Sequence, residues 1–323
     1  MTYVAATAFG RPLPEGGTIG VCAPSGPYYN RSDVLRPGEW WESNGYRVKL
    51  TDGVWAKDDY NAGSAERRAA DLHALFEDDE VDVIQVLWGG TGAISLLPLL
   101  DFELIAAHAK ALMGYSDITN LHTAIRQRTG LATFHGPGLG SMGIAGRTEF
   151  TWGSALEAFA RGGAGQVPRD PENAYTRSIA GGRASGPLVG GNLFTLSHLI
   201  GTPWQPVFDG AILLIEEVDE AAYHIEVELQ QLRLAGMLDG VAGVVVGELH
   251  GCGKPDPETP RDRSLEDVLE RYLEPLGVPV IYPLPLGHGK HLWTVPLGVR
   301  ATIDGDARTL TVDEPGVRRG LTS

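Results

Sequence analysis

A chain of 323 residues with 43% hydrophobic and 21% charged residues can hold two domains of roughly 150 residues, and this ordinary composition excludes intrinsic disorder and coiled coil. Its 26 basic against 41 acidic residues give a net charge of −15, a field that repels nucleic acid and anionic membrane surfaces. The 43 glycines and 21 prolines follow no three-residue period, so collagen is excluded and many tight turns are expected.

Met1 to Gly10 carries no basic residue and no sustained apolar run, and no stretch approaches the roughly 20 apolar residues of a membrane span. Cys22 and Cys252 lie far apart and match neither a disulfide framework nor a zinc knuckle, so a reducing, cytoplasmic location is expected. Apolar runs at Thr18 to Ala23, Tyr46 to Leu50, Val81 to Trp88, Ala111 to Tyr115 and Ala132 to His135 read as buried parallel strands. Between them, Ser64 to Phe76 and Thr119 to Arg128 carry helical spacing, which predicts a doubly wound α/β sheet over residues 1–161.

The glycine-rich stretch 162–186, with Arg169 to Asn173 at its polar centre, reads as a linker to a second domain at 187–323. That second part shows strands at Gly210 to Ile215, Val241 to Gly247 and Val278 to Tyr282. A helix at about Glu220 to Ala235 carries the apolar stripe Ile225, Leu229 and Leu232. Arg300 to Asp304 and Thr309 to Val312 read as a closing hairpin.

In such sheets functional groups collect at the carboxyl ends of strands, and four places follow apolar runs there. Trp88-Gly89-Gly90-Thr91-Gly92 offers backbone amides at a tight turn, without the Lys of a P-loop or the spacing of a dinucleotide fingerprint. Gly114-Tyr115-Ser116-Asp117 puts a hydroxyl at a strand-to-helix turn, where a helix cap is the common role and a nucleophile the sharper one. Glu216-Glu217 ends a strand, and strand alternation lets only one of the pair face a given site; the other belongs to the opposite face or to a first helical turn. Gly287-His288-Gly289-Lys290-His291 places an imidazole on permissive backbone; His288 and His291 have no third ligand of suitable spacing, so neither metal nor cofactor is expected. A nucleophile, a base, a carboxylate and an amide-rich turn form the inventory of serine acyl transfer.

These segments, with Gly17 to Gly26, Gly190 to Leu193, Leu199 to Trp204 and Pro285 to Gly289, resemble the LD-carboxypeptidase family of serine peptidases in order and over nearly the whole chain. That family includes muropeptide LD-carboxypeptidases and microcin C self-immunity peptidases. The resemblance implies a flavodoxin-like first domain, a smaller swivelling β/α second domain and a homodimer. It implies a Ser116, His288, Glu216 triad, an oxyanion hole of the Gly90 and Asp117 amides, and Gly89 and Thr91 at the substrate rim. The substrate would be a small peptide or acyl-amide: a murein-type peptide cut at an L,D bond, or alternatively a peptidyl-nucleotide toxin. A non-catalytic ligand-binding module is the reading of another class. Lys254, Arg261, Arg263 or Lys290 could meet a terminal carboxylate. Two departures stand out: Thr91 where the family often has Tyr, and His224-Ile225-Glu226-Val227 after Tyr223 in place of Arg-Ile-Asp-Arg.

Overall fold

The computed structural model describes residues 6, 8–143, 148–254 and 263–319. In the first half, strands β1 (Thr18–Cys22), β2 (Arg47–Leu50), β3 (Val83–Val86), β4 (Ala111–Gly114) and β5 (Thr133–His135) alternate with helices. These helices are α1 (Ser32–Ser43), α2 (Ala65–Glu77), α3 (Phe102–Ala107), α4 (Thr119–Thr129), α5 (Leu139–Met142) and α6 (Glu149–Arg161). β1, β3 and β4 are buried at every position, as strands covered on both faces must be, and the pairings β2-β1-β3-β4-β5 are all parallel. That is the flavodoxin-like strand order. The helices bury their apolar residues: α2, whose first turn is capped by the Ser64 side chain, turns a stripe of Ala69, Leu72 and Phe76 inward.

The second half continues with β6 (Gly165–Gln166), β7 (Arg177–Ala180), β8 (Arg183–Asn192), α7 (Leu193–His198), β9 (Ile212–Val218), α8 (Ala222–Leu234), β10 (Gly243–His250), α9 (Leu265–Leu273) and β11 (Val280–Tyr282). It closes with β12 (Val295–Leu297), β13 (Arg300–Asp304) and β14 (Thr309–Val312). Its sheet runs β6-β14-β13-β8-β9-β10-β11-β7, with β8 to β11 parallel and the flanks antiparallel. β9 alternates strictly: Leu213 and Ile215 pack with Ile225, Leu229 and Leu269 under the helices, while Ile212 and Leu214 pack with Leu286, Val295 and Ile303 on the other face.

Two features differ from the sequence reading. The stretch 162–186 is not a bare linker, because β6, β7 and the start of β8 lie within it; these strands are short or partly exposed and carry no apolar period to read. The boundary at 187 is also crossed, because β12 leaves the second half and pairs antiparallel with β5 on the edge of the first sheet. Pro296 is tolerated there since an edge strand need not donate on its outer side. A second seam lies at the start of α4, where the Thr119 hydroxyl accepts a 3.0 Å bond from the Asn192 amide. Gly191 must lack a side chain here, because a Cβ would stand 2.4 Å from the Thr119 hydroxyl.

Candidate active site

Ser116 follows β4 in a left-handed backbone conformation, with φ of 64°, half-buried and ahead of α4. A non-glycine residue in that region is strained by about 1 kcal/mol or more and persists only where its surroundings hold it. The α4 N-cap is Ile118, without a side-chain bond, so helix capping does not account for Ser116. What holds the turn is close packing: a Cβ on Gly114 would meet Val86 at 2.7 Å, and one on Gly89 would stand 2.7 Å from the Cβ of Ser116. The Gly89-Gly90 turn therefore lies directly against Ser116, with Gly90 at φ 104° and exposed, and Thr91 exposed beside it.

The Asp117 carboxylate fastens three loops at this end of the sheet. It accepts from the Ser25 hydroxyl at 2.5 Å, the Ala93 amide at 2.7 Å and Asn120 Nδ2 at 2.8 Å. Burial pushes its pKa up, and the bonds from Ser25, Ala93 and Asn120 and the nearby Arg68 pull it back down. Arg68, itself buried, donates to the carbonyls of Pro24, Gly63 and Gly92. The sequence pointed to the Asp117 amide alone; this role of its side chain depends on partners up to 92 residues away, which no local pattern displays.

From the second half, Glu216 lies on the β9 face shared with Ile212 and Leu214, fully buried, and its Oε2 accepts from His288 Nδ1 at 2.6 Å. The segment before His288 runs alongside β10, with Glu248 N donating to the Leu286 carbonyl. The His288 side chain is only 15% accessible. The flanking glycines serve close approach: a Cβ on Gly287 would lie 2.6 Å from Glu216 Oε2, and one on Gly289 would collide with the Glu248 carboxylate. The His288 ring packs 4.7 Å from that of Tyr115, the residue before Ser116. The structure thus pairs His288 with Glu216 and seats its ring on the residue that precedes Ser116.

Glu217 points the other way, toward the helices, but it is no solvated first-turn acid of α8. It is buried and accepts from Asn192 Nδ2 at 2.7 Å, the Phe194 amide at 2.8 Å and the Val218 amide at 2.9 Å, so it anchors the start of α7. Burial and the neighbouring Glu216 push its pKa up to about 7. His135, which the sequence reading passed over, is fully buried beside Tyr115, and burial holds it down at about 4, within electrostatic reach of Glu216 and His288.

The candidate cations are paired elsewhere: Lys254 with Asp219 at 3.2 Å, Arg263 with Glu226 at 2.9 Å and Lys290 with Glu172. Arg261 lies outside the described residues. His291 is buried against Thr148, 2.9 Å from its hydroxyl, and among the described residues no group of three or more His, Cys, Asp or Glu could hold a metal ion.

The LD-carboxypeptidase N-terminal domain family matches residues 19–136, and the LD-carboxypeptidase C-terminal domain family matches residues 185–303. The chain belongs to the LD-carboxypeptidase family. This LD-carboxypeptidase chain is 36% identical over 315 residues to a probable murein peptide carboxypeptidase of Bacillus subtilis, with 95% of each chain covered. It is 29% identical over 332 residues to the microcin C7 self-immunity protein MccF of Escherichia coli, covering 94% of this chain and 95% of that one. Among solved structures it resembles a muramoyltetrapeptide carboxypeptidase from Oxalobacter formigenes, with a TM-score of 0.80, 28% identity, and 92% and 99% of the two chains covered. In the helix after Glu216, where this LD-carboxypeptidase departs from the family pattern, Tyr223 is exposed and His224 pairs with Glu220.

Proposed function

We propose that this protein is a serine carboxypeptidase that cleaves the bond between an L-centre and a terminal D-amino acid in murein-type peptides, acting in the cytoplasm as a homodimer. The observation that carries this reading is the buried Glu216–His288 pair, seated against Tyr115 at a turn whose next residue, Ser116, is held in a left-handed conformation. With Nδ1 of His288 donating to the carboxylate, Nε2 is the basic nitrogen. The Ser116 hydroxyl attacks the scissile carbonyl while its proton passes to Nε2. The amides of Gly90 and Asp117 stabilise the oxyanion, and collapse breaks the C–N bond as Nε2 returns the proton to the leaving amine. Water then repeats the sequence on the acyl-enzyme. Glu216 keeps the ring oriented and stabilises its charged form.

Release of D-alanine from a murein tetrapeptide tests the reading. Ser116→Ala should reduce it on the order of 10⁴-fold or more with the circular dichroism spectrum retained. A kcat near wild type would overturn the mechanism. Likeness to MccF makes an aminoacyl-sulfamoyl nucleoside the second substrate to run in the same assay.

A further inference from the structure

Beside the turn that holds Ser116 stands an aromatic pair that the mechanism does not use. Tyr29 is 72% exposed, and its ring lies 5.5 Å from that of Trp88 at 72°, so the two form an L-shaped corner. Trp88 directly precedes Gly89, which packs on Ser116, and its indole is wedged against Gly140. The segment leading to Tyr29 is stitched to the same turn, because the Gly26 amide donates to the Gly89 carbonyl at 2.8 Å. The neighbouring pair, Tyr28 and Trp55, has Lys57 and Arg31 over its ring faces, which leaves Tyr29 as the ring on offer.

An exposed aromatic alone needs no explanation. One braced edge-on by a second ring and fixed to the turn under the nucleophile is a rigid wall at the mouth of the site. We propose that Tyr29 and Trp88 are specificity-determining residues that grip a ring with an apolar stacking face, carried by the substrate away from the scissile bond. Such a ring is either a pyranose sugar or a nucleobase, since both stack on aromatic walls. This proposal rests on the serine carboxypeptidase reading. Because the gripped ring takes no part in bond making or breaking, loss of the corner removes binding shared by ground and transition states and raises KM while leaving kcat.

Three substrates with the same scissile bond or its acyl-amide equivalent separate the sources: a bare murein tetrapeptide, the same peptide bearing its N-acetylmuramic acid, and an aminoacyl-sulfamoyl adenosine. The expected result is that Tyr29→Ala raises KM about tenfold on one ring-bearing substrate, leaves kcat and the bare peptide unchanged, and is rescued by Tyr29→Phe. The affected substrate identifies the ring. An unchanged KM on both ring-bearing substrates, or an equal rise on the bare peptide, overturns the proposal. If the wild-type protein cleaves none of the three, the carboxypeptidase reading fails, and the corner is judged by calorimetry with adenosine monophosphate and N-acetylmuramic acid. Binding lost in Tyr29→Ala then supports the corner, and absence of binding overturns it.

Discussion

Burial falls mostly on bases in one half of the molecule and mostly on acids in the other. Apart from Asp117, held by its three donors, the first half hides bases: burial lowers His122 to about 3, His135 to about 4 and Arg126 to about 9. The second half hides acids: Glu216 is fully buried, and burial, reinforced by neighbouring carboxylates, raises Glu217 to about 7 and Glu228 to about 8. A buried imidazole becomes neutral and asks little of its surroundings, whereas a buried carboxylate needs donors or holds its proton. Glu217 has three donors, Glu216 has His288, and Glu228 Oε2 has none among the described residues. The difference teaches that the three acids serve different ends, although two are neighbours in one strand.

The largest expected effect separates those neighbours. Glu216→Gln keeps the shape but removes the charge opposite His288, and should lower kcat on the order of a hundredfold or more. Glu217→Gln should leave kcat close to wild type and instead cost about 1–3 kcal/mol of stability, because an amide nitrogen would face the Phe194 or Asn192 donor at the start of α7. Chemical denaturation and kcat for both variants check the pair; the reverse pattern would exchange the two faces of β9.

The smallest effect concerns pH. In the unfolded chain His122 and His135 bind protons below about 6.5, but folded they stay neutral down to about 3 and 4, so they make stability rise with pH up to about 6.5. Glu217 and Glu228 act with the opposite sign. Folded, they keep protons that the unfolded chain loses above about 4.3, so their contribution falls as pH rises to about 7 and 8. The two sets oppose each other between about 4.5 and 6.5, and above that only the acids remain. Glu228→Gln should therefore stabilise the protein by about 1–2 kcal/mol at pH 8 and by only about a quarter of that at pH 5. Equal gains at both pH values would show that proton linkage is not the cause.

Much of this was legible in the chain itself. Four of the five parallel strands of the first sheet read clearly because each is an apolar run followed by turn residues; β2, with Arg47 and Lys49, was read as buried but is exposed or half-buried, and the closing hairpin read from its alternation. The candidate residues were legible because each follows such a run. What escaped was non-local or short. β12 is three residues long, and its partner β5 lies about 160 residues earlier, so neither period nor length marks it. The Asp117 clasp and the anchoring role of Glu217 consist of bonds to loops distant in sequence. The glycines around His288 were read as freedom of backbone, yet they make room for two carboxylates.

β12 also bears on how the chain is made. The first sheet emerges from the ribosome with its β5 edge unpaired, and that edge closes only after residues 295–297 have been synthesised. For about 160 residues of synthesis, then, the N-terminal half exposes a strand able to pair with a foreign one. The same short segment that seals this edge follows His288 by only seven residues, so one stretch of chain supplies both the imidazole and the strand that covers β5.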